Sequence, residues 1–390
     1  MGKSSERREH RGAVQATVAA EPAISGLIPL YRPYLGGREK EYVNQCIDST
    51  WISSRGTFVE RFERAFAQQI DAPYATTVCN GTVALHLALE ALGLEPGDEV
   101  IVPTLTYVAS ANAVVHAGAK PVFVDSLEST WQMDPADVRR KIGPRTKAIM
   151  VVHLYGHPCP MDELLGLCAE FGLRMIEDCA EAFGTLYKGT HVGNFGDFAT
   201  FSFFGNKTIT TGEGGMVVSR NRELIDAAYH LKTQAVSPDR EYWHDVVGYN
   251  YRMTNICAAI GLAQLENASA VLKKKRQIAA WYREGLHGLP LRMLDEEPET
   301  TNSFWMCSLV VDDACHRQPL RDWLMAANIE TRPLFYPCHT LPHFKTDETL
   351  PVAESLSIRG INVPSFPALT QENVISVCGA VKSYFKSLPQ

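Results

Sequence analysis

No run of apolar residues in this chain approaches the roughly 18 needed to cross a bilayer as a helix. None of its ten cysteines forms a CxxC pair, and none combines with histidine at zinc-finger spacing. Positive charge is in deficit: 37 lysines and arginines stand against 44 aspartates and glutamates, a formal net charge of -7. These absences argue against a helical membrane protein, a disulfide scaffold, a metal site, and a general binder of nucleic acid or anionic membrane. The cysteines read as reduced thiols of a cytoplasmic protein. Internal repeats are missing as well, and so is any low-complexity tract beyond the N-terminus. The first 27 residues lack the apolar centre of a secretory signal and read as a disordered N-terminal extension.

What is present is a globular composition, 45% hydrophobic and 21% charged. A length of 390 residues suggests two domains. We place a large domain over residues 28–270 and a smaller α+β domain over 271–390. Through the first of these, Val/Ile-rich strands alternate with amphipathic helices. "YATTVCN" is followed by "GTVALHLALEAL", "DEVIVP" by "YVASANAVVHAG", and "TKAIMVVHLYG" by "PMDELLGLCAEFG". Such alternation predicts an α/β fold with a mostly parallel central sheet covered on both faces. Beyond Thr254 the pattern "TNICAAIGLAQLENASAVLKKKRQIAAWYREGL" predicts one long connecting helix.

Ligands on parallel sheets bind at the carboxyl ends of the strands, so the strand ends are where chemistry is sought. Four stand out. Asn80, Gly81 and Thr82 lie where a strand turns into a helix, a place suited to an anion. Tyr107 opens the next helix and could cover a flat ligand. Glu177, Asp178 and Glu181 crowd the end of an apolar strand, where isolated carboxylates are costly without a cation or donors. Ser202 ends the strand "FATFSFF", and Lys207 follows five positions later. Taken singly, each has an ordinary reading as a cap, a core tyrosine, an acidic helix start or a solvated lysine. Together they are the parts of a pyridoxal phosphate site: a phosphate cradle, a ring cover, a carboxylate for the ring nitrogen and an amine for a Schiff base. Burial of that amine would lower its pKa and make it nucleophilic.

From about Ile28 onward the chain resembles the DegT/DnrJ/EryC1/StrS family of sugar aminotransferases. The stretches that carry the resemblance include "ATTVCNGTVALHLAL", "VIVPTLTYVAS", "IEDCAEAFG", "FSFFGNKTITTGEGGMVV" and "YWHDVVGYNYRMTNICAAIGLAQLE". The resemblance implies the fold-type I, aspartate aminotransferase-like architecture and pyridoxal 5'-phosphate as cofactor. It implies Lys207 as the Schiff-base lysine, Asp178 as partner of the ring nitrogen, and Ser202 with Asn80, Gly81 and Thr82 as the phosphate cradle. Tyr107 matches the stacked aromatic, and Glu181 lies near the phenolic oxygen where relatives often carry glutamine or histidine. Asn250 matches a residue that reaches the phosphate of a neighbouring subunit, which implies a homodimer with shared sites.

The donor implied is L-glutamate. The acceptor implied is GDP-4-keto-6-deoxy-D-mannose, aminated at C4, with a dTDP- or UDP-linked keto sugar as the alternative. Relatives with histidine in place of the lysine are dehydratases, and Lys207 is retained here. Trp51, Arg332, His339 and Arg359 lie in loops resembling those of the nucleotide-sugar cleft.

Overall fold

Seven short apolar segments pair side by side in the computed structural model, which describes Val18 and residues 26–389. The disordered extension expected over residues 1–27 falls almost wholly outside the described residues. The strands are β1 (Tyr74–Val78), β2 (Glu99–Pro103), β3 (Lys120–Val124), β4 (Thr146–Val152), β5 (Arg174–Asp178), β6 (Phe198–Ser202) and β7 (Gly215–Ser219). Across the sheet they run β1-β7-β6-β5-β4-β2-β3. β7 alone is antiparallel to its neighbours. The remaining pairings are parallel, as the strand–helix alternation predicts.

Helices cover both faces because the strands are apolar on both. In β5, Met175 joins one core cluster and Ile176 the opposite one. Helix α1 (Glu39–Asp48) precedes α2 (Thr57–Gln69), whose Phe58, Phe62 and Phe66 recur every four residues and are buried. Phe62 meets Phe203 at 5.3 Å between ring centres, and Phe66 meets Phe201 at 5.0 Å. On the other face α3 (Gly81–Ala91) packs over β5, β6 and β7, and α4 (Ala109–His116) packs beside it over β2 and β3.

The single long helix expected after Thr254 is two. Helix α5 (Asn255–Glu266) ends at Asn267, and α6 (Ala268–Leu286) starts beyond it. Asn267 leaves the helical region (φ -101, ψ 0), and its amide donates back to the Ala263 carbonyl at 3.3 Å. A short polar side chain here competes with the helix ladder, which an apolar periodicity does not register. Helix α6 then carries Ile278, Ala279 and Tyr282 into a second core.

That core lies on an antiparallel sheet of β8 (Leu291–Met293), β9 (Cys307–Val311), β10 (Arg332–Pro333) and β11 (Gly360–Val363), ordered β8-β9-β11-β10. We propose the division of the chain near residue 270 on this change of core. Ile28, placed from sequence with the larger part, is buried in the second core, and Tyr31 and Tyr34 pack on it. The Ile28 N–H donates to the Asn328 carbonyl at 2.8 Å, and the Glu330 N–H donates back to Ile28 at 3.0 Å. Among the described residues no helix is long and apolar enough to cross a membrane.

Candidate active site

Strand β5 ends in two carboxylates that point to opposite faces, as the period of two requires. Asp178 faces α4. Its Oδ2 accepts from the Ser110 hydroxyl at 2.8 Å, and its Oδ1 from the Ala180 N–H at 3.1 Å. Burial pushes the carboxyl above its ordinary pKa; those two donors and the Lys207 amine pull the other way. Glu177 faces the other core and is saturated: Phe195 and Gly196 donate to Oε1, and Gly193 and His153 hydrogen-bond Oε2, all within 3.1 Å. Cys179 lies beside this pair. The full set of partners on Glu177 describes a staple between β5 and the 193–196 loop, and takes Glu177 out of the chemistry.

Lys207 sits on the turn between β6 and β7, its side chain only 14% exposed. Its Nζ is 3.8 Å from Glu181 Oε1 and 4.0 Å from the centre of the Trp305 ring. Burial lowers the amine's pKa, opposed by Glu181 and Asp178. Burial also raises Glu181, to about 7. The other oxygen of Glu181 accepts the Tyr155 N–H at 2.8 Å. Tyr155 adopts φ 55, a conformation uncommon for a bulky residue, and is buried. Its ring stacks near-parallel between Trp305 (6.1 Å) and Phe335 (5.4 Å). Tyr107 is 59% exposed and meets Phe335 at 5.7 Å. An aromatic row thus runs from the open Tyr107 ring to the Lys207 amine. Tyr155, Trp305 and Phe335 carried no sequence signal, because they reach the site only through tertiary contact.

The proposed phosphate cradle lies where α3 starts against the end of β6. Asn80 caps the helix, its Oδ1 accepting the Val83 N–H at 3.0 Å. Ser202 pairs with Gly215 across the sheet, and its hydroxyl lies beside Gly81. A Cβ on Gly81 would stand 2.7 Å from the Ser202 Cβ, so only glycine lets the helix start this close. Thr82 is exposed beside it. Gly81→Ala is therefore expected to weaken pyridoxal phosphate affinity roughly tenfold or more through overpacking. An absorbance titration that finds the affinity unchanged would remove Gly81 from the cradle.

The fit to pyridoxal phosphate rests on these features. Asp178 is a buried carboxylate bonded to neutral donors and open to a cationic partner. The glycine-lined helix start offers N–H groups to a phosphate. The Asn206 Oδ1 and Thr208 Oγ1 atoms on either side of Lys207 are buried without a hydrogen-bond partner.

The remaining sequence candidates are dispersed. Trp51 is 56% exposed and lines a cavity of about 550 Å³ with Gln45, Arg55 and Asn255. Arg332 is exposed, 3.5 Å from Glu330. His339, expected at the sugar cleft, is buried with both ring nitrogens engaged, Nδ1 with the Thr104 hydroxyl at 2.7 Å and Nε2 with Glu354 at 3.1 Å. Arg359 likewise bonds Ser355 and Glu128. His339 ties its turn to Thr104 just past β2, and Arg359 ties the end of the helix Pro351–Arg359 to the turn at Glu128; neither residue gives a sequence sign of such a partner. Asn250 is exposed, its Oδ1 accepting from the Arg252 guanidinium at 3.2 and 3.3 Å.

The chain belongs to the DegT/DnrJ/EryC1/StrS aminotransferase family, whose model matches residues 33–382. Its fold is that of the fold-type I pyridoxal phosphate enzymes. It is 55% identical to a GDP-perosamine synthase of Escherichia coli O157:H7, covering 92% of this chain and 98% of that protein. It is 52% identical to a GDP-perosamine synthase of Vibrio cholerae, over 93% and 100% of the two chains. Among solved structures, S. venezuelae DesV in complex with a ketimine intermediate superposes with a TM-score of 0.88 at 32% identity, over 94% of this chain and all of that one.

Proposed function

We propose that this protein transfers the amino group of L-glutamate to C4 of GDP-4-keto-6-deoxy-D-mannose, with pyridoxal 5'-phosphate as cofactor, giving GDP-perosamine for O-antigen synthesis in the cytoplasm. The observation that carries the reading is the convergence of Lys207, Asp178, Glu181 and the Asn80–Thr82 turn on one strand-end pocket. The likeness to two GDP-perosamine synthases over nearly the whole chain supports the nucleotide sugar.

The cofactor supplies an aldehyde carbon and a ring that takes up electrons as a proton leaves the amino carbon. This chain's residues do the rest. The α3 start and the Ser202 hydroxyl bind the phosphate. Asp178, held in place by Ser110 and Ala180, keeps a proton on the ring nitrogen. The Lys207 amine, biased toward its neutral form by burial, accepts and returns the proton that moves between donor and cofactor. Glu181 stands near enough to exchange charge with it. The Trp305–Tyr155 pair shields the amine from water.

We further read the active unit as a homodimer. Tyr242 (95% exposed) and Val247 (84%) project from the segment that carries Asn250, and apolar exposure of this degree suits a second copy of the chain.

The test compares turnover of GDP-, UDP- and dTDP-linked 4-keto-6-deoxy sugars with L-glutamate as donor. The GDP sugar is expected to lead by at least about tenfold; preference for another nucleotide sinks the assignment. Failure of glutamate to convert the absorption of the loaded protein sinks the donor.

A further inference from the structure

The turn that carries Lys207 is held from outside by two aromatic side chains. The Tyr31 hydroxyl donates to the Lys207 carbonyl at 2.6 Å, and the Trp305 indole N–H donates to the Asn206 carbonyl at 2.8 Å. Inside the turn the Lys207 N–H returns to the Phe204 carbonyl at 2.9 Å. Neither clamp residue belongs to the large sheet. Tyr31 lies on the N-terminal segment, which is itself tied to the second core. There the Leu30 N–H donates to Glu330 at 2.9 Å, and the Ser365 N–H donates to the Leu30 carbonyl at 3.0 Å. Trp305 lies two residues before the start of β9 and is buried. Its ring face lies against the Lys207 amine, so one side chain touches both the backbone and the head of the same turn.

From this geometry we infer that Tyr31 is a positioning residue for Lys207: with Trp305 it forms a two-point clamp that aims the amine from the second core. The inference rests on the reading of Lys207 as the reacting amine. Two successive carbonyls fixed by donors on separate segments remove the freedom of the turn to swing. Aim matters because a displacement of about 1 Å in a reacting group can cost roughly a hundredfold in rate. Tyr31 keeps its proton to do this, since burial raises its pKa and the donated bond needs the neutral phenol. Lys275 lies under the same ring, 5.4 Å from its centre, and donates to the Ser365 carbonyl and, at 3.1 Å, to its hydroxyl. The tyrosine therefore stands on a fixed base.

Tyr31→Phe removes one hydroxyl and leaves the ring. The test uses the full chain freed of cofactor. Capture of pyridoxal phosphate, in which the Lys207 nitrogen bonds to the aldehyde carbon and water leaves, is followed by stopped-flow absorbance. Binding of pyridoxamine phosphate, which has no aldehyde, reports on the pocket alone. The Tyr31→Phe variant is expected to capture pyridoxal phosphate roughly tenfold more slowly and to lose a similar factor in kcat. Its pyridoxamine phosphate affinity and both KM values should stay within about twofold. Trp305→Phe, which removes the second donor, should act in the same direction, and the double variant should be non-additive. Unchanged capture in Tyr31→Phe overturns the clamp, and so does an equal loss of affinity for both cofactor forms. If Tyr31→Phe does not fold, Trp305→Phe alone decides by the same two measurements. A Lys207→Ala chain that still captures pyridoxal phosphate in a borohydride-reducible form would instead overturn the reading of Lys207, leaving the two failures distinct.

Discussion

Replacing Lys207 by alanine is expected to lower turnover by at least about a thousandfold while the chain stays folded. Two proposed roles end together, the attachment of the cofactor and the movement of the proton. Nothing nearby can take over. Glu181, 3.8 Å away, is the nearest titratable neighbour, and it is anchored by the Tyr155 N–H rather than free to reach the reacting carbon. The fold should survive because the lysine side chain is bound by no short hydrogen bond, and the turn is held through backbone carbonyls. Without the lysine amine beside it, Glu181, already raised to about 7 by burial, takes up a proton more readily still. Single-turnover kinetics with thermal denaturation as the control make the measurement. A variant retaining a tenth of wild-type turnover would show that another group moves the proton.

Asp178→Asn is expected to lower kcat by about 10²–10³, the scale seen when one preorganised electrostatic contact is removed from a reacting centre. The substitution is close to isosteric. The new side chain can still accept the Ala180 N–H and donate to the Ser110 oxygen, so thermal stability should hold. What is lost is the negative charge proposed to keep a proton on the ring nitrogen. Folding itself gains from the change, since burial disfavours the aspartate's charged form. Because that pKa is raised, the carboxyl costs the fold increasingly as pH rises through the carboxylate range, and the asparagine removes the cost. The expected result is a slow enzyme of equal or greater stability, read by kcat and by a urea midpoint at neutral pH. Wild-type kcat in this variant would remove Asp178 from the ring nitrogen.

The sequence made the first ring of this site readable because each member announces itself locally. Asn80 and Gly81 mark a strand-to-helix turn, Asp178 is a charge at the end of an apolar run, and Lys207 is a lone amine before glycines. The strands and most helices were legible for the same reason, their periodicity being local. What escaped was everything fixed by long-range contact. Ser110, which orients Asp178, comes from 68 positions away, and Tyr31 from 176. The break at Asn267 escaped because one side chain, not a pattern, makes it. His339 and Arg359 were placed at the sugar cleft by the likeness of their loops, and their partners, buried Thr104 and exposed Glu128, could be known only from the fold.

The place of β1 in the sheet carries a consequence for synthesis of the chain. Among the described residues β1 is an edge strand whose only sheet partner is β7, so residues 74–78 wait for residues 215–219. A ribosome adding about 5–20 residues per second needs on the order of ten seconds to cover that interval. During that time the emerging polypeptide carries an apolar, unpaired strand edge of the kind that invites aggregation. The proposed phosphate cradle, between α3 and Ser202, is completed in the same late event. Vitamin-derived cofactor therefore cannot template the early folding of this protein; it can only capture a nearly finished one.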